Sequence, residues 1–322
     1  MAEPDDKNRI VDLLKTKINI HGLRLPRDLE FSLVGGNLVI KLGSFKTKEG
    51  TQYCCLGNMQ TDRAAFEGWS ICLKLHLEDK IDKVFLKWDR PANITQNQQQ
   101  HYNRFLYRVI KFSALFKWFH VENHYEAEIK NFKEQLSKLI INVPLSQSGF
   151  TTDKSSNEAK IEYANQNRDC IKQKFNLSVV DHQLPVGVKR DGNNFFTGRS
   201  SAIDIWGINK NNDLFIFELK YKNKKIGIIT ELLFYTEVMH DVFILNNIGI
   251  PGKIREFRSA DKLYEDPAKK IQRIEGYFLV DEIHPLFNKD CLKLLNENEA
   301  GIKFEMRYYS LQNNELLFKD IY

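Results

Sequence analysis

The segment 201–221 contains two runs of β-forming residues, and each run carries an acidic side chain among apolar neighbours. A polar turn at 210–213 separates the runs and predicts that the two strands pair as a hairpin. Pairing across this turn brings Asp204 beside Glu218, because the residues on either side of them align. The sequence therefore predicts two carboxylates at neighbouring positions of one sheet.

A lysine joins these two acids. Side chains of a strand alternate between the faces of a sheet, so Glu218 and Lys220 point to the same side, roughly 7 Å apart. The alternate positions are apolar or aromatic, namely Phe215, Phe217, Leu219 and Tyr221. Two carboxylates near one lysine on apolar strands cost several kcal/mol of folding free energy unless something neutralises them. Mg²⁺ does so at sites with few carboxylates and several waters, and the pattern therefore indicates a divalent-metal site.

The spacing of these residues is that of a known signature. Asp204, followed after thirteen residues by Glu218-x-Lys220, resembles the motif of the PD-(D/E)XK nuclease superfamily, which has the restriction-endonuclease-like fold. The proline of the motif is absent, because Ala202-Ile203 precede the acid, as is frequent in the superfamily. A helix predicted to begin near Ile226 is similar to the helix that follows the motif in many members, with Glu231 where glutamine is commoner. The resemblance covers roughly residues 150–310.

The resemblance implies an α/β fold in which a mixed β-sheet flanked by helices forms the nuclease core. It implies Asp204 and Glu218 as ligands of Mg²⁺ (or Mn²⁺), with the carbonyl of Leu219 joining them. Lys220 would orient or activate the attacking water and stabilise charge on the scissile phosphate. Glu231 would tune or position Lys220, because an acid on a helix that is apolar nearly all round needs a partner or a site.

A helix before the core sheet supplies a further acidic ligand in many superfamily members. Glu158 and Glu162 are one turn apart in the helix predicted over 158–175, and both are candidates. Glu158 is favoured because it lies closer to the edge of the apolar side. The alternative is that both side chains are simply exposed on a helix surface.

Two polar segments beside the motif are rich in basic residues. Their candidates for contact with a nucleic-acid backbone are Lys189, Arg190, Arg199, Lys222, Lys224 and Lys225. Such residues supply sequence-independent phosphate contacts, and solvated turns are the alternative. The chain contains no glycine-rich nucleotide-binding motif, so a nucleoside triphosphate or dinucleotide site has no support.

The stretch 144–153, which contains Pro, Ser, Gly and Thr, predicts a boundary between two domains. Residues 1–145 would form a β-rich and helical N-terminal domain that recognises a target or partner, and 150–322 would form the nuclease domain. The first range is predicted to hold a hairpin around Gly35-Gly36, strands at 71–77 and 81–88, and a long helix over 101–141. The second is predicted to hold strands at 178–188, 276–280 and 302–311, an exposed helical stretch over 250–274, and a helix at 286–295 packed on the late strands.

The predicted helix 101–141 has two faces of interest. Aromatic residues at helical spacing predict a buried stripe, formed by Phe105, Phe112, Phe116 and Phe119 together with Val109. Basic residues form a second stripe, Arg104, Arg108 and Lys111. This basic stripe is read either as solvated surface or as a groove that faces phosphates.

Composition restricts the setting. The formal net charge of +5 permits a nucleic-acid partner without demanding one. The polar start of the chain predicts no signal peptide, and no apolar run approaches the ~20 residues of a membrane span. Five scattered cysteines, without a C-x-x-C pair, indicate a reduced, cytoplasmic protein.

Three functions remain open at this stage. The first is a metal-dependent DNA endonuclease of restriction, repair or defence against mobile DNA. The second is an RNase or exonuclease on the same fold, and the third is a non-catalytic nucleic-acid-binding module. The complete Asp204…Glu218-x-Lys220 set argues against the third, since a pure binder has no need of the lysine. Cleavage of both DNA strands would imply two active sites and hence a homodimer.

Overall fold

The computed structural model describes residues 5–20, 22–48, 50–143, 156–196, 201–252, 254, 259–264, 270–313 and 315–319. The chain divides into two compact units. Unit one comprises Met1–Glu134, Lys224–Glu231 and His284–Gly301, and unit two comprises Gln135–Asn223, Leu232–Ile283 and Ile302–Tyr322. The division differs from the predicted ranges 1–145 and 150–322 chiefly in two short segments that follow residue 150 and yet group with unit one.

The architecture is mixed α/β, with sheets flanked by helices, as the sequence predicts at this level. The helices in the described ranges are α1 (Lys7–Ile18), α2 (Phe66–His76), α3 (Gln96–Leu115), α4 (Glu126–Gln135), α5 (Asn157–Tyr163), α6 (Asn165–Lys174), α7 (Gly227–Phe243), α8 (Ala260–Tyr264) and α9 (Lys289–Asn296). None of these helices is long and apolar enough to cross a membrane.

The strands of the described ranges are β1 (Leu29–Val34), β2 (Asn37–Leu42), β3 (Ser44–Thr47), β4 (Gly50–Tyr53), β5 (Lys83–Trp88), β6 (Phe119–Val121), β7 (Leu139–Ile141), β8 (Leu177–Pro185), β9 (Val188–Arg190), β10 (Asn193–Asn194), β11 (Ala202–Asn209), β12 (Asp213–Lys220), β13 (Ile248–Gly249), β14 (Arg273–Val280), β15 (Lys303–Gln312) and β16 (Glu315–Phe318). Short 3₁₀ helices lie at Cys54–Leu56 and Asn123–Tyr125.

Unit one is built on a sheet of order β1-β2-β5-β6. The predicted hairpin β1–β2 is confirmed, and Gly35 and Gly36 turn it with φ of +56° and +79°, which glycine adopts without a steric penalty. The predicted strand at 71–77 is wrong, because these residues lie in α2, which packs on β2 and β5. A short apolar run is compatible with either a buried strand or a buried helix, and periodicity alone does not separate them.

The single helix predicted over 101–141 is also wrong. Helix α3 begins earlier, at Gln96, behind a capping box in which Thr95 and Gln98 bond each other's backbone N–H. It ends at Leu115, and β6, α4 and β7 follow. The buried aromatic stripe is nevertheless confirmed, because Phe119 reaches Phe112 from strand β6 with ring centroids 4.6 Å apart. A sheet strand thus continues the stripe that the helix begins.

Both interpretations of the basic stripe on α3 are wrong for Arg108. Its guanidinium is buried and donates to both carboxylate oxygens of Glu67, at 2.7 and 2.6 Å, and to the carbonyl of Ala64. The hydroxyl of Thr230 donates to Glu67 at 2.9 Å. We call Glu67, Arg108 and Thr230 the arginine cluster. It links α2, α3 and the first turn of α7 inside unit one.

Unit two contains a six-stranded sheet of order β16-β15-β14-β12-β11-β8. Strands β12, β14 and β15 are parallel neighbours, whereas β8, β11 and β16 pair antiparallel. One face carries a core to which α5 and α6 contribute Ile161 and Ile171. The remaining buried members of this core are Leu177, Ile205, Phe215, Phe217, Leu219, Tyr277, Leu279, Tyr309 and Leu316.

The predicted strands of unit two are found, with changed limits. Strand β8 ends at Pro185, and β9 belongs to a separate small sheet of order β10-β9-β7-β13. The helix predicted over 158–175 is interrupted, because Ala164 has extended backbone between α5 and α6. The two glutamates of interest lie on the short first piece, α5.

The helix predicted at 286–295 is present as α9 and groups with unit one, where it packs against α2 and Cys291 approaches Cys72. A prediction about the stretch before it is wrong. The stretch 250–274 is not an exposed helix in its described part. Only Ala260–Tyr264 is helical among its described residues, and the Tyr264 ring is buried against Phe243 of α7.

Candidate active site

Strands β11 and β12 position the predicted acidic pair. Ile205 pairs with Phe217 in an antiparallel register, and continuing this register by one residue sets Asp204 opposite Glu218. Directly opposed residues of antiparallel strands project to the same face. The sequence-based expectation that these two acids adjoin is therefore confirmed.

Asp204 is tied to the end of β12 by its side chain. Its Oδ2 accepts a hydrogen bond from the backbone N–H of Leu219 at 2.8 Å. The Leu219 side chain is buried in the core of unit two, while its peptide group contacts the site. This bond holds the half-buried Asp204 carboxylate between the positions of Glu218 and Lys220.

Lys220 and Glu218 form a buried ion pair. Lys220 Nζ donates to Glu218 Oε1 at 2.6 Å, and their side chains are only 8% and 1% exposed. The hydroxyl of Tyr309 donates to the backbone carbonyl of Lys220 at 2.9 Å and fixes the strand at this point. Burying both charges has a desolvation cost that geometry must offset, so such a pair is weak evidence for a purely structural role.

Helix α5 brings both candidate glutamates to this place. Ser156 caps the helix by accepting from the N–H of Ala159, which orients its first turn. Glu158 Oε1 accepts from the N–H of Tyr221 at 3.1 Å. Glu162, 5% exposed, accepts from Gln183 Nε2 at 2.6 Å. The alternative of two simply exposed helical acids is therefore wrong.

The pKa of Glu162 reflects its burial and the nearby carboxylates. Burial, together with the charges of Asp204 and Glu158, raises the pKa of Glu162 to about 9. The hydrogen bond from Gln183 and the charge of Lys220 act in the opposite direction without compensating. Perturbed carboxyl groups of this kind concentrate at functional sites. We call Glu158, Glu162, Asp204, Glu218 and Lys220 the acidic cluster.

Sequence reasoning missed Gln183. Ile203 pairs with Leu184 and Ile205 with His182, so that Gln183 lies opposite Asp204 across β8 and β11. Its backbone has φ of +50°, a left-handed conformation that is uncommon for a residue with a side chain. The signal available in the sequence was an amide close to the end of an otherwise strand-like run. Tyr309, the other contact missed, carries no such signal.

The remaining predicted residues lie elsewhere. Glu231 is buried in α7, in the segment Lys224–Glu231 of unit one, so its proposed influence on Lys220 stays a prediction. Lys224 and Lys225 lie in the same segment and are exposed. Exposed Lys222 of unit two follows β12, and its backbone N–H binds Asp281 at 2.8 Å.

Two further basic candidates, Lys189 and Arg190, are half-buried on β9 of the small sheet. They do not lie on the strands that carry the acidic cluster. Arg199 falls outside the described residues. The phosphate-binding role of all six basic residues stays a prediction.

The donor chemistry of the acidic cluster fits a hard divalent cation, because its oxygens are carboxylates. Burial and the charge of Asp204 raise the pKa of Glu162, so its ionised form lacks compensation in this site. Within the described ranges, however, no three His, Cys, Asp or Glu side chains are already arranged to hold a metal ion. Asp204 is engaged by a backbone N–H and Glu218 by Lys220 instead. The carboxylates are of the right chemical type for a cation and lie close together. Their side chains would have to rotate for the oxygen atoms to converge on a bound ion.

Comparison of the chain with protein-family models, with curated proteins and with solved structures finds no match.

Proposed function

We propose that unit two is a restriction-endonuclease-like core that hydrolyses phosphodiester bonds of DNA with Mg²⁺ (or Mn²⁺). The observation that carries the proposal is the acidic cluster, in which Glu218 pairs with Lys220 and the charges of Asp204, Lys220 and Glu158 act on buried Glu162. A helix precedes the sheet and delivers two of these acids, and the antiparallel strands β11 and β12 deliver the other two. This arrangement supports the resemblance of the Asp204…Glu218-x-Lys220 spacing.

The cation would be held by Asp204 and Glu218, with Glu162 or Glu158 and the Leu219 carbonyl completing the set. When bound, a divalent ion supplies Lewis-acid stabilisation of phosphate charge and lowers the pKa of a water molecule. Glu162 would contribute a carboxyl group whose pKa is raised by burial and by the charge of Asp204, so cation binding there would be coupled to loss of its proton.

Lys220 has the second role. Its ammonium group is desolvated beside Glu218, and a buried cation acts on a phosphate more strongly than an exposed one. With Glu218 holding the cation, Lys220 would stabilise charge that develops on the scissile phosphate and orient the attacking water. The bond from Tyr309 to its backbone carbonyl keeps the chain at Lys220 fixed while the side chain turns.

DNA is the proposed substrate, and the basic residues near the motif would contact its backbone. Cleavage of both strands would use two copies of the chain, so we propose a homodimer for that activity. Sedimentation with and without a DNA duplex measures the number of chains in the complex.

Plasmid cleavage tests the proposal. Supercoiled DNA is incubated with the protein in Mg²⁺, in Mn²⁺ and in EDTA, and nicked and linear products are quantified. Asp204→Asn and Glu218→Gln are expected to lower the rate about 100-fold or more. The matched control Asp169→Asn changes an exposed acid on α6 and should leave the rate unaltered.

The outcomes separate the candidate functions. Metal-dependent cleavage lost in both variants and kept in the control supports the proposal. Cleavage of a labelled RNA but not of DNA would indicate an RNase, and cleavage only of linear DNA would indicate an exonuclease. DNA binding without cleavage by the unaltered protein, in either metal, would overturn the enzymatic proposal in favour of a binding module.

A further inference from the structure

Unit one contains a group of sulfur and imidazole side chains that the proposed nuclease chemistry does not use. Cys72 and His76 lie one turn apart on α2, and Cys291 lies on α9. Cys291 Sγ is 3.9 Å from Cys72 Sγ and 4.0 Å from His76 Nε2. We call Cys72, His76 and Cys291 the dithiol cluster. Both cysteines are 0% exposed, and both are free thiols.

The two sulfur atoms are close enough to bond after a small movement. A disulfide has an S–S length of about 2.05 Å, so the two sulfur atoms would have to approach by roughly 2 Å. Cys54 and Cys55 are adjacent in a 3₁₀ helix, and Cys170 belongs to unit two. The dithiol cluster therefore joins cysteines that are distant in sequence and adjacent in space, 219 positions apart.

The environment distinguishes the two thiols. The hydrogen bond between the two sulfur atoms, together with His76 and a backbone hydrogen bond, lowers the pKa of Cys291 to about 6 against the effect of its burial. Cys291 also lies in the first turn of α9, behind the cap Asn288, where a helix terminus favours a thiolate. Burial instead keeps the pKa of Cys72 well above the ordinary value. Cys291 is thus the nucleophile of the pair and Cys72 its thiol partner.

An open cleft lies beside the dithiol cluster. An open cleft of about 700 Å³ in unit one is lined by Leu75, His76, Asn288 and Asp290, which flank the two cysteines along α2 and α9. His76 lines this cleft while its Nε2 lies 4.0 Å from the Cys291 sulfur. His76 therefore lies between the open cleft and the buried Cys291 sulfur, which makes this side the approach we propose for a small reagent.

We propose that Cys291 and Cys72 form a peroxide-sensitive modification site that closes into a disulfide. The Cys291 thiolate attacks one oxygen of hydrogen peroxide, the O–O bond breaks, and hydroxide leaves, which gives Cys291 sulfenic acid. The Cys72 thiol then displaces the sulfenic oxygen as water and forms the S–S bond. Peroxide is the oxidant of the whole sequence, and a thiol such as dithiothreitol reverses it.

The bond has a defined structural effect. It would cross-link α2 to the segment His284–Gly301, which leaves the sheet of unit two after β14 and returns to it at β15. Docking of this segment on α2 currently depends on non-covalent contacts, including the bond between His76 Nε2 and the carbonyl of Leu286 at 2.7 Å. Oxidation would make that docking permanent until a reductant acts.

Peptide mapping of the full chain tests the proposal. The reduced protein is treated with hydrogen peroxide, remaining thiols are alkylated, and non-reduced peptides are identified by mass spectrometry. Two of the five thiols should be lost, and one cross-linked peptide should contain Cys72 and Cys291. Cys72→Ala should lose one thiol and leave Cys291 as a sulfenic acid that dimedone traps, whereas Cys291→Ala should lose none of the pair.

Cys170→Ser is the matched control, because it removes a half-buried cysteine outside the dithiol cluster and should still lose two thiols. Five thiols remaining in the unaltered protein would overturn the proposal, as would a cross-link through Cys54, Cys55 or Cys170. Loss of thiols from Cys291→Ala at the rate of the unaltered protein would overturn the assignment of the nucleophile. The experiment on the unaltered protein alone shows whether Cys72 and Cys291 form a disulfide, even if a variant fails to fold.

Discussion

Each unit of this protein contains a cluster of charged side chains, and the two clusters differ in the ratio of positive to negative groups. The arginine cluster of unit one sets one guanidinium against one carboxylate, and Ala64 and Thr230 complete its hydrogen bonds. In the acidic cluster of unit two, Glu218 pairs with the Lys220 ammonium, and three further carboxyl groups lie nearby, of which Glu162 is buried and has a raised pKa. A balanced pair serves as a structural link, whereas carboxyl groups in excess of their cation destabilise a fold and concentrate at functional sites.

The largest expected effect tests the structural side of this comparison. Arg108→Met leaves Glu67 buried without its cation, and we expect it to lower the free energy of unfolding by about 3–5 kcal/mol. Cleavage activity per folded molecule should not change. Urea unfolding measures the first quantity and an activity assay on the folded fraction the second. The control Arg9→Met, 63% exposed on α1, should shift stability by less than about 0.5 kcal/mol.

Lys220→Met removes the cation of the other cluster and should act on function. We expect cleavage to fall about 100-fold, equivalent to ~2.7 kcal/mol of transition-state stabilisation. Mg²⁺ should raise the melting temperature of this variant more than that of the unaltered protein, because a bound ion replaces the missing positive charge. Arg108→Met keeps the acidic cluster intact, so its response to Mg²⁺ should equal that of the unaltered protein. The control is Lys172→Met, an exposed lysine on α6. An equal rise in melting temperature with Mg²⁺ for Lys220→Met and Arg108→Met would contradict the proposed difference between the two clusters.

The pH dependence of stability sharpens the comparison further. The pKa of Glu162 is raised from 4.5 to about 9 on folding, so the folded state binds more protons than the unfolded chain between these values. Stability of the metal-free protein therefore falls as pH rises through that window. Glu162→Gln carries a permanently neutral group and lacks this loss. Its stability relative to the unaltered protein should rise by about 2 kcal/mol or less between about pH 6 and pH 8.

Urea unfolding in EDTA at several pH values measures this difference. The exposed Glu315→Gln on β16 is the control and should show no such trend. A constant gap between Glu162→Gln and the unaltered protein at all pH values would mean that the surplus charge is absent. Added Mg²⁺ should flatten the pH dependence of the unaltered protein, because the cation stabilises the ionised carboxyl group.

The smallest effect concerns Gln183. Gln183→Leu removes the amide that bonds Glu162 and should cost about 1 kcal/mol of stability. Gln183→Gly loses the same bond but relieves the left-handed backbone at φ of +50°, so it should be more stable than the leucine variant by about 1 kcal/mol. Thermal unfolding compares the two, with exposed Gln173→Leu on α6 as the control. A leucine variant as stable as glycine would show that this backbone is unstrained.

The sequence was informative where structure is local. The β-forming runs and the turn residues between them predicted the hairpin of β11 and β12. The same pattern predicted that Asp204 and Glu218 are neighbours. Helical spacing placed Glu158 and Glu162 on one helix, although the break at Ala164 was not foreseen. The residues of each pattern are close together in the sequence. The chain therefore loses little entropy when it brings them together, and the local pattern is enough to predict the contact.

The sequence was uninformative where tertiary contacts decide. The apolar run at 71–77 could have formed a strand, and burial against β2 and β5 instead selects a helix. Arg108 has the spacing of a surface residue, and only a carboxylate from another helix, Glu67, explains its burial. Gln183 and Tyr309 contact the site through sheet neighbours that are distant along the chain, and periodicity carries no information about such pairs.

The insertion of His284–Gly301 between β14 and β15 has a practical consequence for dissecting the molecule. A fragment beginning at residue 135 would retain α9 but lose α2, so Cys291 and Leu295, which are buried in the whole chain, would face water. Such a fragment should aggregate even if its six-stranded sheet is sound. Shortened versions intended to isolate unit two should therefore replace 284–301 with a brief polar connection.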